Sequence, residues 1–210
     1  MKSNASSIAA TLLDRAQAGS TSSLGRLMTL YGAYLKAVVA AQLDQRLQTR
    51  VSASDVVQET FFEAHRDFST FRGQSPEEFL GWMRKILVNN LMRVVERHVT
   101  AAKRDVRREI SLDRVVGGVE RSTDRLSRLA VSLEASPSTD LRRQESQSAL
   151  ALALAGLPED YRTVVQLRHL EGLPFGEVAL RMERSSGAVR MLWLRAIKQL
   201  RASINDSEEP

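Results

Sequence analysis

The sequence predicts an all-α protein made of two small helical domains joined by a flexible linker. Over most of its 210 residues, apolar side chains recur at steps of three and four, the spacing of one buried helix face, as at Leu24, Leu27, Met28, Tyr31 and Leu35. No alternating run is long enough to predict a sheet. Near the middle, "SLDRVVGGVERSTDRLSRLAVSLEASPSTD" combines a glycine pair, many serines and weak periodicity. Connections of that length are uncommon within one compact domain, so this stretch predicts a linker between two domains.

The first domain, residues 1–110, begins with two helical patterns. One starts at Leu12 to Ala16, and the next runs from Leu24 to Val38 in steps of three and four. A third helix is predicted to start at Asp55, because Ser54 is a suitable N-cap residue directly before it. These patterns predict a small helical bundle.

A break and a long helix complete the first domain. "FRGQSP" contains a glycine and a proline and interrupts the helical pattern, which resumes from about Glu77 to Arg108. A second helical block follows the linker and ends in the polar stretch "NDSEEP". The predicted boundaries are a linker at 111–144, a second domain at 145–205 and a tail at 206–210.

The composition excludes several classes of function. The chain has no cysteine, so disulfides, thiolate zinc sites and cysteine nucleophiles are excluded. Its three histidines are far apart and lack metal-ligand spacing. The N-terminus lacks the apolar core of a signal peptide, and the best apolar run is interrupted by Lys36. We therefore expect a cytoplasmic protein with no metal, no cofactor and no catalytic residues. Its net charge of +5 permits nucleic acid as a partner. Whether the chain binds nucleic acid depends on where the basic residues lie, and not on their number alone.

The second domain has the pattern of a helix-turn-helix. In "GLPEDYRTVVQLRHLEGLPFGEVALRMERSSGAVRMLWLRAIKQLR", Pro158 suits a first helical turn and Gly172 can end that helix in the left-handed conformation. A short helix follows, and Ser185 or Ser186 can cap the last one. Two helices joined by a tight turn, the second of them basic, are typical of this DNA-binding motif.

The last helix separates an apolar stripe from a basic face. Five Lys or Arg and no acid lie between Arg184 and Ile204, whereas a helix that is merely solvated usually mixes charges of both signs. Apolar residues among arginines also suit contacts with thymine methyls and base edges. An ordinary solubilising face is the alternative, but the preceding short helix and turn favour DNA binding. The predicted buried stripe is Val189, Leu192, Trp193, Ala196, Ile197 and Leu200. The predicted outward face is Arg190, Met191, Leu194, Arg195 and Lys198.

A compact acidic patch stands out in this basic chain. Asp55, Gln58 and Glu59 fall at i, i+3 and i+4 and share one helix face. The opposite face, running from Val57 to Phe68, is apolar. A helix N-terminus made acidic to complement the helix dipole would explain Asp55 and could extend to Glu59, but it would not explain Gln58.

Three segments resemble one known family. "DVVQETFFEAHRDFSTFRG", "FLGWMRKILVNNL" and the helix-turn-helix segment are similar to regions 2 and 4 of bacterial RNA polymerase sigma factors. The absence of a substantial domain between them indicates the extracytoplasmic-function (ECF) branch of the sigma-70 family. The resemblance covers residues of roughly 20–110 and 145–204.

The resemblance implies a sigma factor that binds core RNA polymerase and recognises promoter DNA. It implies that Asp55, Gln58 and Glu59 bind the coiled coil on the clamp of the largest catalytic subunit, where opposite charge would orient the contact. The flap region of the polymerase is a second expected contact, and an anti-sigma factor is a further partner that the resemblance allows.

The resemblance also implies two DNA-binding sets. "RKILVNN" matches the segment that reads the minus-ten promoter element, and Asn89 falls where the family places an Asn near a flipped base, with Asn90 as the next candidate. The full minus-ten set is Trp82, Arg84, Lys85, Asn89, Asn90 and Arg93. The set expected at the minus-thirty-five element is Ser186, Arg190, Met191, Leu194, Arg195 and Lys198.

Three other classes of function compete with this interpretation. A protein-interaction adaptor is one, but it would leave the basic face of the last helix without a role. A helix-turn-helix repressor or activator that acts without core polymerase would explain 145–204 but not the first domain. An enzyme is not expected, because no nucleotide-binding fingerprint is present, and "HRD" at His65 lacks the Asn that a kinase catalytic loop needs.

Overall fold

The structure is a computed structural model that describes residues 4–43, 51–101, 112–133 and 140–205. All regular secondary structure within these ranges is helical, which confirms the predicted all-α class. In the same ranges, every helix is too short or too polar to cross a lipid bilayer. The helices are α1 (Asn4–Gln17), α2 (Thr21–Ala40), α3 (Ala53–Asp67), α4 (Pro76–Ala101), α5 (Leu112–Leu133), α6 (Asp140–Ala155), α7 (Glu159–Val165), α8 (Phe175–Arg181) and α9 (Ser186–Asn205).

Local hydrogen bonds set the ends of the N-terminal helices. The N-cap of α3 is Ser52, whose Oγ accepts from Asp55 N at 3.1 Å, so the prediction of Ser54 was wrong by two residues. At the start of α4, Glu78 accepts from Ser75 N while Ser75 Oγ accepts from Glu78 N, each at 3.2 Å. This reciprocal pair is a capping box, and it places the helix start directly after the predicted break.

The first four helices pack around a core that includes an aromatic cluster. Phe79 is fully buried and lies 5.7–5.8 Å from the ring centres of Phe71 and Trp82. Phe68, in the 3-10 turn after α3, joins the same cluster at 5.9–6.3 Å from these rings. The cluster joins the end of α3 to α4. It therefore fixes the position of the acidic patch on α3 relative to the predicted minus-ten residues on α4.

The segment predicted as a linker contains a helix that the sequence analysis did not predict. Val119, Leu126, Leu129 and Leu133 of α5 are buried on one face. Ser122, 2% exposed, lies on the same face. Because a polar residue interrupts the apolar positions of this face, the helical spacing could not be recognised in the sequence. The glycine pair is not a turn, because both residues lie inside α5, where the Gln42 side chain at the end of α2 packs against Gly118.

The two helical blocks contact each other through α5 and α6. Tyr31 Oη on α2 and Ser148 Oγ on α6 are 2.9 Å apart and buried, and burial raises the pKa of the Tyr31 phenol, which keeps it neutral. On α4, Arg84 Nη1 donates to Gln147 Oε1 on α6 at 3.1 Å. The domain boundaries at 110 and 145 stay a prediction, and both the first of them and the tail at 206–210 fall outside the described residues.

The C-terminal helices form the predicted helix-turn-helix. After α7 the chain makes a π-helical turn (Gln166–Leu170), and Gly172 then takes a φ of 76°, the left-handed conformation predicted for it. Arg184, between α8 and α9, donates to Asp160 at 2.6 Å and thereby ties the turn to α7. Ser185 Oγ accepts from Ala188 N at 3.2 Å, so Ser185 rather than Ser186 caps α9.

Candidate nucleic-acid and polymerase interfaces

The outward face of α9 has the residues that the sequence placed there. Ser186, Arg190, Arg195 and Lys198 are exposed. Met191 and Leu194 are 51% and 50% exposed, which is unusual for large apolar side chains. On the inward side, Val189, Leu192, Ala196 and Leu200 are buried, whereas Trp193 and Ile197 are half-buried.

The charge of this outward face is uncompensated. Among the described residues, no ion pair includes Arg190, Arg195 or Lys198. The neighbouring Arg184 differs, because it pairs with Asp160. Three free cations and two exposed apolar side chains on one helix face can contact phosphates and base edges together.

An aromatic platform beneath Arg190 was missed by the sequence analysis. The Arg190 guanidinium carbon lies 5.8 Å from the centre of the Phe175 ring, and Phe175 meets Trp193 edge-on at 5.6 Å. Trp193 Nε1 donates to His169 Nε2 at 3.0 Å. These contacts join the turn at His169, α8 and α9, and the spacing within one helix gives no signal for contacts between separate elements.

The acidic patch on α3 lies in solvent and includes an exposed phenylalanine. Asp55, Gln58 and Glu59 are all exposed, as predicted from their spacing. Phe62, 67% exposed, falls at i+3 from Glu59 and continues the same face by one helical turn. We call these four residues the α3 face. The adjacent Phe61 is half-buried, and in a sequence "FF" only one ring can point inward, which was the available signal for Phe62.

Three of the six predicted minus-ten residues form one exposed line on α4. Lys85, Asn89 and Arg93 are exposed and follow one another at steps of four. Arg93 also bonds Glu63 at 2.6 Å, and Glu63 is the more buried partner. The remaining three residues make contacts within the protein.

Asn90, one of the six predicted minus-ten residues, is buried in the structure. It is 3% exposed, and its Nδ2 donates to Thr60 Oγ1 and to Glu63 Oε2, each at 3.3 Å. With its amide bonded inside the protein, Asn90 presents no edge to a base in this structure. Trp82 is half-buried in the aromatic cluster, and Arg84 is half-buried against Gln147.

The described residues also bear on metal binding. Within the described ranges, no three His, Asp or Glu side chains come close enough together to hold a metal ion. Polar and apolar groups face outward from α3, α4 and α9.

Comparisons with known proteins identify the C-terminal block and its relatives. Residues 147–200 match the family model "Sigma-70, region 4". The ECF RNA polymerase sigma-E factor of Haemophilus influenzae is 29% identical over 198 residues, covering 92% of this chain and 93% of that protein. The ECF RNA polymerase sigma factor BldN of Streptomyces coelicolor is 28% identical over 195 residues, covering 93% and 65% respectively. A chain of the solved structure "1.8 A structure of RsbN-BldN complex" is 24% identical, covering 89% of this chain and 95% of that one, with a TM-score of 0.31.

A helix-turn-helix with an uncompensated basic second helix defines a DNA-binding protein. The matched region 4 and the relatives that align along nearly the whole chain narrow this class further. Along nearly its whole length the chain is similar to ECF RNA polymerase sigma factors of the sigma-70 family, and this similarity, with the region 4 match at 147–200, supports a sigma-factor role in transcription initiation. That family is not a class of enzymes.

Proposed function

We propose that this protein binds core RNA polymerase and directs promoter-specific initiation by recognising the minus-thirty-five and minus-ten elements. The observation that carries the proposal is the presence of two unlike surfaces on one chain. The α3 face is acidic and apolar, whereas the outward face of α9 is basic and has no acid to neutralise it. A protein that bound only DNA would need the second surface and not the first.

The α3 face is the proposed contact with the clamp coiled coil of the largest polymerase subunit. An exposed Phe beside two carboxylates combines an apolar anchor with charges that orient a basic partner. Burying the Phe62 ring in an interface would contribute about 1.5–3 kcal/mol. The C-terminal block is the proposed contact with the flap region, and an anti-sigma factor is a further proposed partner.

The outward face of α9 is the proposed reader of the minus-thirty-five element. Arg190 and Arg195 can each donate two hydrogen bonds to a guanine edge, and Met191 and Leu194 suit thymine methyl groups. Ser186 and Lys198, at the margins of this face, suit phosphates. The platform of Phe175 and Trp193 supports Arg190 from below.

The line on α4 is the proposed reader of the minus-ten element. Asn89 is the exposed amide of the segment and can pair with the edge of an unstacked base, while Lys85 and Arg93 flank it with positive charge. Trp82 and Arg84 would take part only after leaving their present partners. We keep Asn89 as the base reader and place Asn90 behind it as support.

The test of the proposed function is biochemical and separates it from its alternative. A pull-down with core RNA polymerase should show that the protein binds the enzyme. Run-off transcription from a promoter selected with the reconstituted holoenzyme should then show promoter-specific initiation. We propose that the protein does this in the cytoplasm. A repressor or activator that acts alone would bind duplex DNA yet fail both assays. That outcome would leave the α3 face without a role.

A further inference from the structure

A basic cleft separates the helix α5 from the DNA-binding block. It has a volume of about 410 Å³. Three arginines line it, and no carboxylate is among the described residues that do so. Its polar lining is Arg125, Arg128, Ser132, Arg168, His169 and Gly172.

Two of the arginines are held in place by backbone carbonyl groups. Arg125 Nη1 donates to Leu170 O at 2.9 Å, and Arg168 Nη1 donates to Leu173 O at 3.0 Å. A Cβ at Gly172 would lie 2.8 Å from Arg125 Nη1, so a larger residue would displace the guanidinium from the turn. A guanidinium has five N–H donors, and a neutral carbonyl uses one of them without cancelling the charge. Both arginines therefore keep charge and donors for an anion.

The other groups of the cleft add no negative charge to its lining. Arg128 bonds the exposed Asp124 one helical turn away, and because both side chains are in solvent this pair offsets only part of the Arg128 charge. His169 accepts from Trp193 on Nε2, so Nδ1 carries the proton of the neutral ring and is a donor. Burial first and the Arg168 charge second lower the pKa of His169 to about 4, so the ring is neutral at physiological pH. The cleft thus offers hydrogen-bond donors with a surplus of positive charge.

The cleft adjoins α9, the second helix of the helix-turn-helix, which we call the recognition helix. Arg168 and Arg190 both lie against the Phe175 ring, at 5.0 and 5.8 Å from its centre. His169, which lines the cleft, bonds Trp193 of α9. Arg168 and Arg190 are therefore close enough to contact one duplex together, Arg190 at the bases and Arg168 at the backbone.

We propose that this cleft binds phosphate groups of the DNA backbone next to the segment read by α9, which makes α5 part of the DNA-binding surface. The inference rests on the proposed function, since it takes duplex DNA as the ligand of α9. It assigns to the segment predicted as a linker a direct contribution to affinity. That contribution is electrostatic and independent of base sequence.

The test uses the full-length chain, a random-sequence duplex and a titration of salt. The variants are Arg125→Gln, Arg128→Gln and the double substitution, with Arg121→Gln as control, because Arg121 is exposed on the same helix and does not line the cleft. Each lost phosphate contact should reduce the slope of log affinity against log salt by roughly 0.9. The control should keep the wild-type slope. Arg128→Gln breaks no backbone contact, so it remains informative if Arg125→Gln alters the fold.

Three outcomes decide the inference. Reduced slopes for the cleft variants, with an unchanged ratio of promoter to random-sequence affinity, support it. Wild-type slopes in both Arg128→Gln and the double variant overturn it. Saturable binding of inorganic phosphate that the variants lose, without any change in the DNA slope, also overturns it and assigns the cleft to a free anion. The proposed function fails separately, when wild-type protein with polymerase shows no promoter-specific initiation.

Discussion

Trp193 of the recognition helix donates its indole N–H to Nε2 of His169, 3.0 Å away on the turn that precedes the helix-turn-helix. The two rings lie nearly parallel, at 21°. His169 must be neutral to accept this bond, because a protonated imidazole has no free lone pair. The recognition helix is therefore joined to the preceding turn through a group that can titrate.

This bond predicts a loss of stability in acid. The folded pKa of His169 is about 4, lowered from 6.5 by burial first and by Arg168 second. Between these values the unfolded chain binds a proton that the folded chain does not, so the free energy of unfolding falls as pH falls from 6.5 toward 4. In His169→Gln, whose amide oxygen can still accept from Trp193, chemical denaturation across this interval should show a shallower dependence on pH. His65→Gln is the control, because His65 is exposed on α3. Equal pH dependence in wild type and His169→Gln would contradict the prediction.

The α3 face predicts a pair of effects on polymerase binding. Phe62→Ala should weaken binding to core polymerase by about tenfold or more, since an interface would bury most of this ring. Reversal of Asp55 and Glu59 to Lys should weaken it further and make the remaining binding less sensitive to salt. Phe62→Ala should change the free energy of unfolding by less than about 0.5 kcal/mol, because the ring is already in solvent.

A matched variant makes this result interpretable. Asp14→Lys changes an exposed acid on α1 by two charge units, the same change as each single reversal on the α3 face, and should leave polymerase affinity at the wild-type level. Surface plasmon resonance with immobilised core enzyme gives all of these affinities. Wild-type affinity in the Phe62 and charge-reversal variants would remove the α3 face from the interface.

The recognition helix predicts a distinction between base and phosphate contacts. Arg190→Ala and Arg195→Ala should each cost about 1–3 kcal/mol of promoter affinity and change the preferred sequence if they contact bases. If they contact phosphates alone, affinity should fall equally for all sequences and the salt slope should shrink by roughly 0.9 per lost contact. Selection from a random duplex library, compared between wild type and variants, separates these results. An unaltered profile with unaltered affinity in both variants would return this face to a solubilising role.

The helical class and the two outward faces follow from local patterns, because a period of three to four residues and the position of charges are visible in the sequence. The helix α5 was not predictable in this way. Its buried face includes Ser122, which bonds Leu170 and Gln42, and these partners are 48 and 80 residues away. A polar residue that is satisfied by distant partners looks like a linker residue until those partners are known.

The same limit applies to the candidate sites. Asn89 and Asn90 are identical in chemistry, and only the packing of α4 against α3 distinguishes the exposed one from the buried one. The platform beneath Arg190 was missed for a similar reason. His169, Phe175 and Trp193 belong to three separate elements, and only the packing of those elements brings the rings together.

Asn89 and Asn90 therefore predict opposite phenotypes for the same substitution. Asn89→Ala removes an exposed amide, so stability should change by less than about 0.5 kcal/mol, while opening of the promoter should be impaired. Asn90→Ala removes a donor that bonds Thr60 and Glu63 in the interior, so it should lower the free energy of unfolding by about 1–3 kcal/mol. At temperatures where the Asn90→Ala protein is folded, it should still open the promoter. Permanganate reactivity of unpaired thymines in the holoenzyme complex reports opening, and urea denaturation reports stability. Normal opening with Asn89→Ala and lost opening with a folded Asn90→Ala protein would reverse the assignment and require α4 to turn its buried side outward on the polymerase.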